Sequence, residues 1–492
     1  MKNKKAEVFT MKKLEADVVV VGGGPSGLAA SVQAAEDGAS VILLNKADIV
    51  GGAANMGMGP LGIGTKQQQA QMVDISVEKA FKMFMDYTHW RVDANLVKKY
   101  FENSKDTIEW LEDMGVEFAG AYKYFPKSEA TWHIVAVNGG IGRNGGAIMN
   151  KAMMEKGKEL GVEYYNSTTV EKIIMKDGKV AGVMAKDAAG EEIEVSAKAV
   201  IIGTGGAGDN PQVIKERMGY TWGKDMFNFA IPGLKGDGIR MAMEAGAATT
   251  DMNIEMIYIL PNSDMGPDCI PATFMQPNLM VNKEGRRFIN EEEMQNTTFT
   301  GNAIAIQPER IGFSILDSSI IKGYKKRGLD VTNFVHHPDN IDDFEQCVDD
   351  SIAAKNPDVY KADSIEELAN MLGIDPEALE DTIDEYNDMC DSYDEQFFKD
   401  RRFMKPIRKA PFYAGAFRPS GYGTLGGIKI NDNAEVLNDE WKKIPGLYAC
   451  GTDTCTIYGD SYMFLLPGNT MGYCLNTGRF AGEGAAAYCD EE

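Results

Sequence analysis

Val18-Val19-Val20-Val21-Gly22-Gly23-Gly24-Pro25-Ser26-Gly27-Leu28-Ala29-Ala30 is the stretch whose reading decides the fold. An apolar, β-branched run breaks into glycines and then into alanine-rich sequence, which predicts a strand, a tight turn and a helix start. Gly22 permits the turn, Gly24 admits a pyrophosphate close to the backbone, and Gly27 lets helix and strand pack closely. With Pro25 and Ser26 they form the expected phosphate cradle, because a helix N-terminus offers unpaired N–H groups and the positive end of its dipole.

Outward from the turn, Val41-Ile42-Leu43-Leu44 reads as the second strand, about 20 residues after the glycines, where a dinucleotide fold places an acid on the ribose hydroxyls. This chain has Asn45 there, followed by Lys46. Asn45 both donates and accepts, so the expected contact is changed in kind. A second glycine-rich loop, Gly51-Gly52-Ala53-Ala54-Asn55-Met56-Gly57-Met58-Gly59, implies close approach of backbone to a flat ligand.

The totals narrow the class. The chain has 492 residues, 44% of them hydrophobic, and a net charge of −23. Such acidity argues against nucleic acid or an anionic membrane as partner. Seven dispersed cysteines, without a C-x-x-C pair, fit a reducing compartment and carry no iron–sulfur or haem-attachment spacing. Met1 to Asp17 is basic and polar with no apolar signal core, and no run approaches about 18 apolar residues. The expected location is cytoplasmic. His89, His133, His336 and His337 show no metal-ligand spacing, so no metal site is expected; His336-His337 reads as an exposed loop.

Further along, Val73 to Met114 has helical spacing, with Ser76 and Asn103 as candidate caps. An amphipathic helix is expected from Ala147 to Leu160. Tyr164 to Ala185 reads as a hairpin turning at Asp177-Gly178. Lys198 to Gly206 is another buried strand ending in glycines. From Asp251 the composition shifts toward Met, Asp, Glu and Asn, with capped helices at Ser364 and at Asp375-Pro376. Glycine-rich strands return after Pro411, and a last helix is expected from about Asn469 to Tyr488. We therefore expect a discontinuous domain, 1–250 with 405–492, and an inserted domain, 251–404.

Eight blocks together resemble the fumarate reductase/succinate dehydrogenase flavoprotein family, which also holds 3-ketosteroid dehydrogenases. They are Gly22–Gly27, Gly51–Gly59, Gly203-Thr204-Gly205-Gly206, Gly236-Asp237-Gly238, Val281–Glu291, Thr424-Leu425-Gly426-Gly427, Gly446–Gly451 and Pro467–Thr470, in family order over nearly the whole chain. The resemblance implies an α/β fold: a Rossmann-like FAD-binding domain, discontinuous in sequence, with an inserted α+β capping domain over the flavin. It also implies FAD as cofactor, lined by Val170, Thr204, Gly205, Gly206 and Asp237, with Asn469, Thr470 and Met471 facing the flavin pyrimidine end. Where the family often has a ribitol-contacting Glu after Gly451, this chain has Thr452.

The substrate side departs from the dicarboxylate reductases. By resemblance, their proton-donating arginine falls at Gln295, a second arginine at Leu465, and their histidines at Tyr422-Gly423 and Tyr458. Guanidinium groups grip carboxylates with paired bonds, and an unpaired buried carboxylate costs several kcal/mol. Fumarate and succinate are therefore rejected. The aromatic segment Tyr458 to Leu466 suits a small hydrophobic or aromatic substrate instead. This places the chain nearer, on its substrate side, to 3-ketosteroid dehydrogenase or tetrahydrodaidzein reductase-like members. The expected reaction is hydride transfer between flavin N5 and a hydrophobic cyclic substrate, an isoflavonoid or ketosteroid, in the reducing direction. Tyr422, Tyr458 and Tyr462 are candidate proton or hydrogen-bond donors, and Gln295 a candidate for orienting substrate. NAD(P)H or a separate electron-donor protein is the expected reductant. Two other readings stay open: an acrylate-type monocarboxylate reductase, which needs Arg143 or Arg287 near the flavin, and a flavin electron-transfer subunit.

Overall fold

The Val18–Val21 run is buried on both faces, as continuous apolar strands of parallel sheets must be. In the computed structural model, which describes residues 11–227, 231–262, 268–331, 338 and 340–492, it lies within an eight-stranded sheet. The strand Lys12–Val21 pairs in parallel with Val41–Leu44 on one side and Glu192–Ile202 on the other. Glu163–Tyr165 extends the sheet beyond the former and Lys443–Ala449 beyond the latter, both parallel. The C-terminal segment thus completes a sheet begun at the N-terminus. The helices Pro25–Glu36 and Asn469–Glu491 pack closely: a Cβ at Gly478 would stand 2.3 Å from the Ser26 carbonyl oxygen, and one at Gly482 2.5 Å from that of Ala30.

The hairpin expected at Asp177-Gly178 joins Thr169–Lys176 to Lys179–Lys186, and both turn residues have positive φ, 52° and 78°. Ser76 caps Val77–Tyr87 as expected. Asn103 caps nothing: the next helix, Ala94–Asp113, starts at Asp93, whose carboxylate accepts from the amides of Asn95 and Leu96. Asn103 lies inside that helix and donates to the Lys99 carbonyl. Gly145–Glu159 begins two residues earlier than read, where glycines allow the helix start to abut the Ala54 carbonyl. Ser364 and Asp375 cap their helices.

A second sheet hangs on one long strand, Phe412–Ile428. Its first half pairs with Gly312–Asp317 and Val359–Ala362, and its second half with Thr249–Ile259 and Thr454–Cys455. Two main apolar cores follow: one around the parallel sheet, the other gathered from residues 258–417. The architecture is an α/β fold, a parallel sheet built from both ends of the chain with an inserted cap. The readings made on Met1–Thr10 and on His336-His337 fall outside the described residues. Among the described residues, no helix is long and apolar enough to cross a membrane.

The cap core encloses four charged side chains. Arg287 forks onto Glu291 (2.8 and 3.0 Å) and onto Asp394 (3.0 and 3.0 Å), while Lys399 reaches Glu291 at 3.2 Å. All four side chains are fully buried. Against the cost of burial, hydrogen bonds from Arg287 and from backbone amides hold the Asp394 carboxyl at about 2. Removing one partner strands the others in a medium that solvates charge poorly. Arg287→Ala is expected to destabilise the protein by about 3–5 kcal/mol, read as a lowered urea midpoint; an unchanged midpoint would refute this role.

Candidate functional site

The glycine turn is shaped by close approach. Gly22 has φ +113°, and a Cβ there would stand 2.2 Å from the Gly203 carbonyl oxygen; one on Gly27 would stand 1.9 Å from that of Gly22. Gly24 differs. Its backbone is extended, and a Cβ built on it would meet no atom within 4 Å. It faces open space at the start of a helix that no side chain caps. The second glycine loop crosses above, with the Gly51 amide donating to the Gly23 carbonyl at 2.6 Å.

That space is a cavity of about 570 Å³. Gly22, Gly24, Pro25 and Ser26 line it beside the helix start, and Gly52, Ala53 and Gly57 line it from the second loop. Asn45, Lys46 and Val170 border one end, and Thr204, Gly205 and Asp237 form a side wall. Thr452, Thr470 and Met471 reach it from the C-terminal segment. Gly27, Gly51, Gly59, Gly206, Gly451 and Asn469 are not among the lining residues. They stand behind it: the Gly451 amide donates to Thr477 Oγ1 (3.0 Å), and Asn469 Oδ1 accepts from the Tyr458 hydroxyl (2.9 Å).

Asn45 takes its place at the second strand's end, but its bonds turn inward. Oδ1 accepts from the Gly23 amide (3.3 Å), and Nδ2 donates to the carbonyls of Ala47 and Ile49 and to Asn166. It braces the loop that borders this end of the cavity. Lys46 pairs with Asp237 at 3.0 Å across the cavity edge. Among the described residues lining the cavity, Lys46 is the only cation.

Asp453, missed in the sequence, organises the side wall. Its fully buried carboxyl accepts from the Gly205 amide (3.1 Å), the Gly206 amide (2.9 Å), the Thr204 hydroxyl (2.9 and 3.0 Å) and the Thr204 amide. These bonds fix the turn whose open side is the cavity wall.

The end away from Asn45 carries Glu255, Tyr422, Gly423, Thr470, Met471 and Cys474. Thr470 opens the helix Asn469–Glu491, which has no acid in its first turn and no side-chain cap on Gly468. Its positive dipole end therefore favours negative charge at this end of the cavity. Glu255 is the second residue missed. Its carboxyl is buried, and burial lifts its pKa to about 7 despite a Thr470 hydroxyl bond at 3.3 Å. A lone acid inside Ile254-Glu255-Met256-Ile257 was the available signal.

Of the four candidate catalytic side chains, Tyr422 lines the cavity. It is 38% exposed, and the surrounding walls and Glu255 push its hydroxyl above the usual phenol range. Tyr458 and Tyr462 stand behind the lining, with their hydroxyls engaged at the helix start: Tyr458 donates to Asn469, and Tyr462 accepts from the Thr470 amide at 3.1 Å. Gln295 is buried in the cap and donates to the Met275 carbonyl. Arg287 is held in the buried charge cluster, and Arg143 pairs with Asp268 at the surface.

These residues fit FAD: an open cradle at Gly24, an uncapped helix start for the diphosphate, a braced nucleoside end and a second helix dipole at the far end. The profile of the FAD binding domain family matches residues 17–470. The vinyl phenol reductase of Lactiplantibacillus plantarum is 33% identical over 489 residues, 97% of each chain. A fumarate reductase (cytochrome) of Shewanella frigidimarina is 29% identical, over 96% of this chain and 77% of that protein. The structure of 3-ketosteroid-Δ4-(5α)-dehydrogenase from Rhodococcus jostii RHA1, in complex with 4-androstene-3,17-dione, is 25% identical. It superposes with a TM-score of 0.77 over 99% of this chain and 100% of that one.

Two glycines separate binding from folding. Gly24→Val, filling the cradle without a protein clash, is expected to weaken FAD binding at least tenfold while leaving the melting temperature of the apoprotein nearly unchanged. Gly27→Val is expected to lower the yield of folded protein. Equal FAD affinity in Gly24→Val, measured by calorimetry, would contradict the assignment.

Proposed function

The chain belongs to the FAD binding domain family and is an FAD-dependent oxidoreductase; from that premise we propose that it reduces a carbon–carbon double bond in a small, uncharged substrate bearing an aromatic or cyclic ring. The observation that carries this is the charge pattern of the cavity: its far end has an acid, one tyrosine and apolar walls, and Lys46, its sole cation among the described residues, sits at the nucleoside end in a pair with Asp237. A carboxylate substrate would find no guanidinium there.

Aromatic residues back this end from behind the lining. Tyr458, Tyr462, Phe464 and Tyr124 follow one another with ring centroids 5.0, 5.1 and 4.8 Å apart. They hold the lining residues in place by edge and tilted ring contacts. In this reading residues 251–404 act as the cap and exclude water from the reacting end. FAD supplies hydride when bound. Tyr422 offers its hydroxyl as a hydrogen-bond donor to a phenol or ketone oxygen. Vinyl phenol, the substrate class in the name of the 33%-identical relative, is one member of this class, and a cyclic enone is another.

The test is anaerobic reoxidation of chemically reduced holoenzyme, followed by flavin absorbance. A vinyl phenol or a cyclic enone is expected to reoxidise the flavin, while acrylate and fumarate leave it reduced. Reoxidation by acrylate or fumarate alone would overturn the proposal.

A further inference from the structure

We propose that Glu255 is the catalytic acid of this chain, donating the proton that completes reduction of the double bond; the inference rests on the reading above that the cavity reduces an alkene. The geometry begins in strand register. Ile254 pairs with Thr424 and Met256 with Gly421, so one residue, Glu255, stands opposite two, Tyr422 and Gly423. This is a β-bulge, and bulges re-aim side chains beside functional sites. Glu255, Tyr422 and Gly423 all line the cavity.

Among the described residues, every titratable group that faces Glu255 is neutral in its ordinary state. Tyr422 faces it from the long strand; Cys455, Tyr458 and Tyr462 from the segment that follows; Cys474 from the C-terminal helix. The Thr470 hydroxyl is its hydrogen-bond donor. With no facing cation to hold it ionised, the buried carboxyl retains its proton to about pH 7. The other candidates lack this property. Burial raises Tyr422, Tyr462 and Cys474 far from neutrality, and the Tyr458 hydroxyl donates to Asn469.

The step balances. One alkene carbon receives a hydride, two electrons and one hydrogen, from reduced FAD as the π bond breaks. The neighbouring carbon forms its C–H bond with the proton released from the Glu255 O–H bond, leaving carboxylate. Solvent returns that proton, and a two-electron donor such as reduced nicotinamide restores the flavin.

The test compares reduced holoenzymes of wild type, Glu255→Gln and Thr470→Val, mixed anaerobically with a vinyl phenol or a cyclic enone from pH 5.5 to 9. An infrared titration of the carboxyl C=O band accompanies it. Wild-type reoxidation is expected to be fastest at low pH and to fall above about pH 7, as Glu255 ionises. Glu255→Gln is expected to be at least about a hundredfold slower, without that pH dependence, and to lack a protonated-carboxyl band present in wild type. Thr470→Val removes a bond that favours the ionised form, so its midpoint is expected to move to higher pH. A Glu255→Gln enzyme as fast as wild type, or no titrating band assignable to Glu255, overturns the acid and leaves the substrate reading standing. Wild-type flavin reoxidised by neither compound overturns the substrate reading and the acid with it.

Discussion

A single buried carboxyl joins the two ends of this chain. Asp453 accepts hydrogen bonds from the Thr204-Gly205-Gly206 turn, nearly 250 residues earlier in sequence, and so locks the C-terminal segment against the strand Glu192–Ile202. The same closure brings Lys443–Ala449 into the parallel sheet and sets the helix Asn469–Glu491 beside Pro25–Glu36. Without it the cavity loses one wall and the second helix dipole. The discontinuous domain therefore depends on a contact between segments that the cap separates in sequence.

Much of the nucleotide site was legible because backbone constraints appear in sequence as glycine. Gly22 and Gly27 are required by approaches that admit no Cβ, while Gly24 faces open space at the cavity. Caps at Ser76, Ser364 and Asp375 are local chemistry and were equally readable. The reacting end was not. Glu255 acquires its position from a mismatch in register between two strands more than 150 residues apart, which no local pattern encodes. Asn45, read as a changed ribose contact, lines the cavity, and its amide also braces the Ala47–Ile49 loop and Asn166. Tyr458 donates its hydroxyl to Asn469, and Tyr462 accepts from the Thr470 amide, so both stand at the helix start behind the lining.

Charge is distributed with the same logic. The cap concentrates its buried charge in the mutually paired set Arg287, Glu291, Asp394 and Lys399, all four side chains fully buried. The reacting end keeps one buried acid without a facing cation, beside a helix dipole. Burial outweighs the dipole at Glu255 and leaves the acid protonated near neutrality. The proposed substrate class and the proposed proton supply thus rest on one feature, the absence of positive charge among the described residues at this end of the cavity.

A crystal structure of the FAD-loaded protein with the saturated product of a vinyl phenol tests the account most directly. The account predicts the flavin ring against Thr470 and Met471, with the phenol ring between it and the Glu255–Tyr422 bulge, and the Glu255 carboxyl beside the former alkene carbon. A phenol ring seated elsewhere, or Glu255 shielded from it by another side chain, would contradict it.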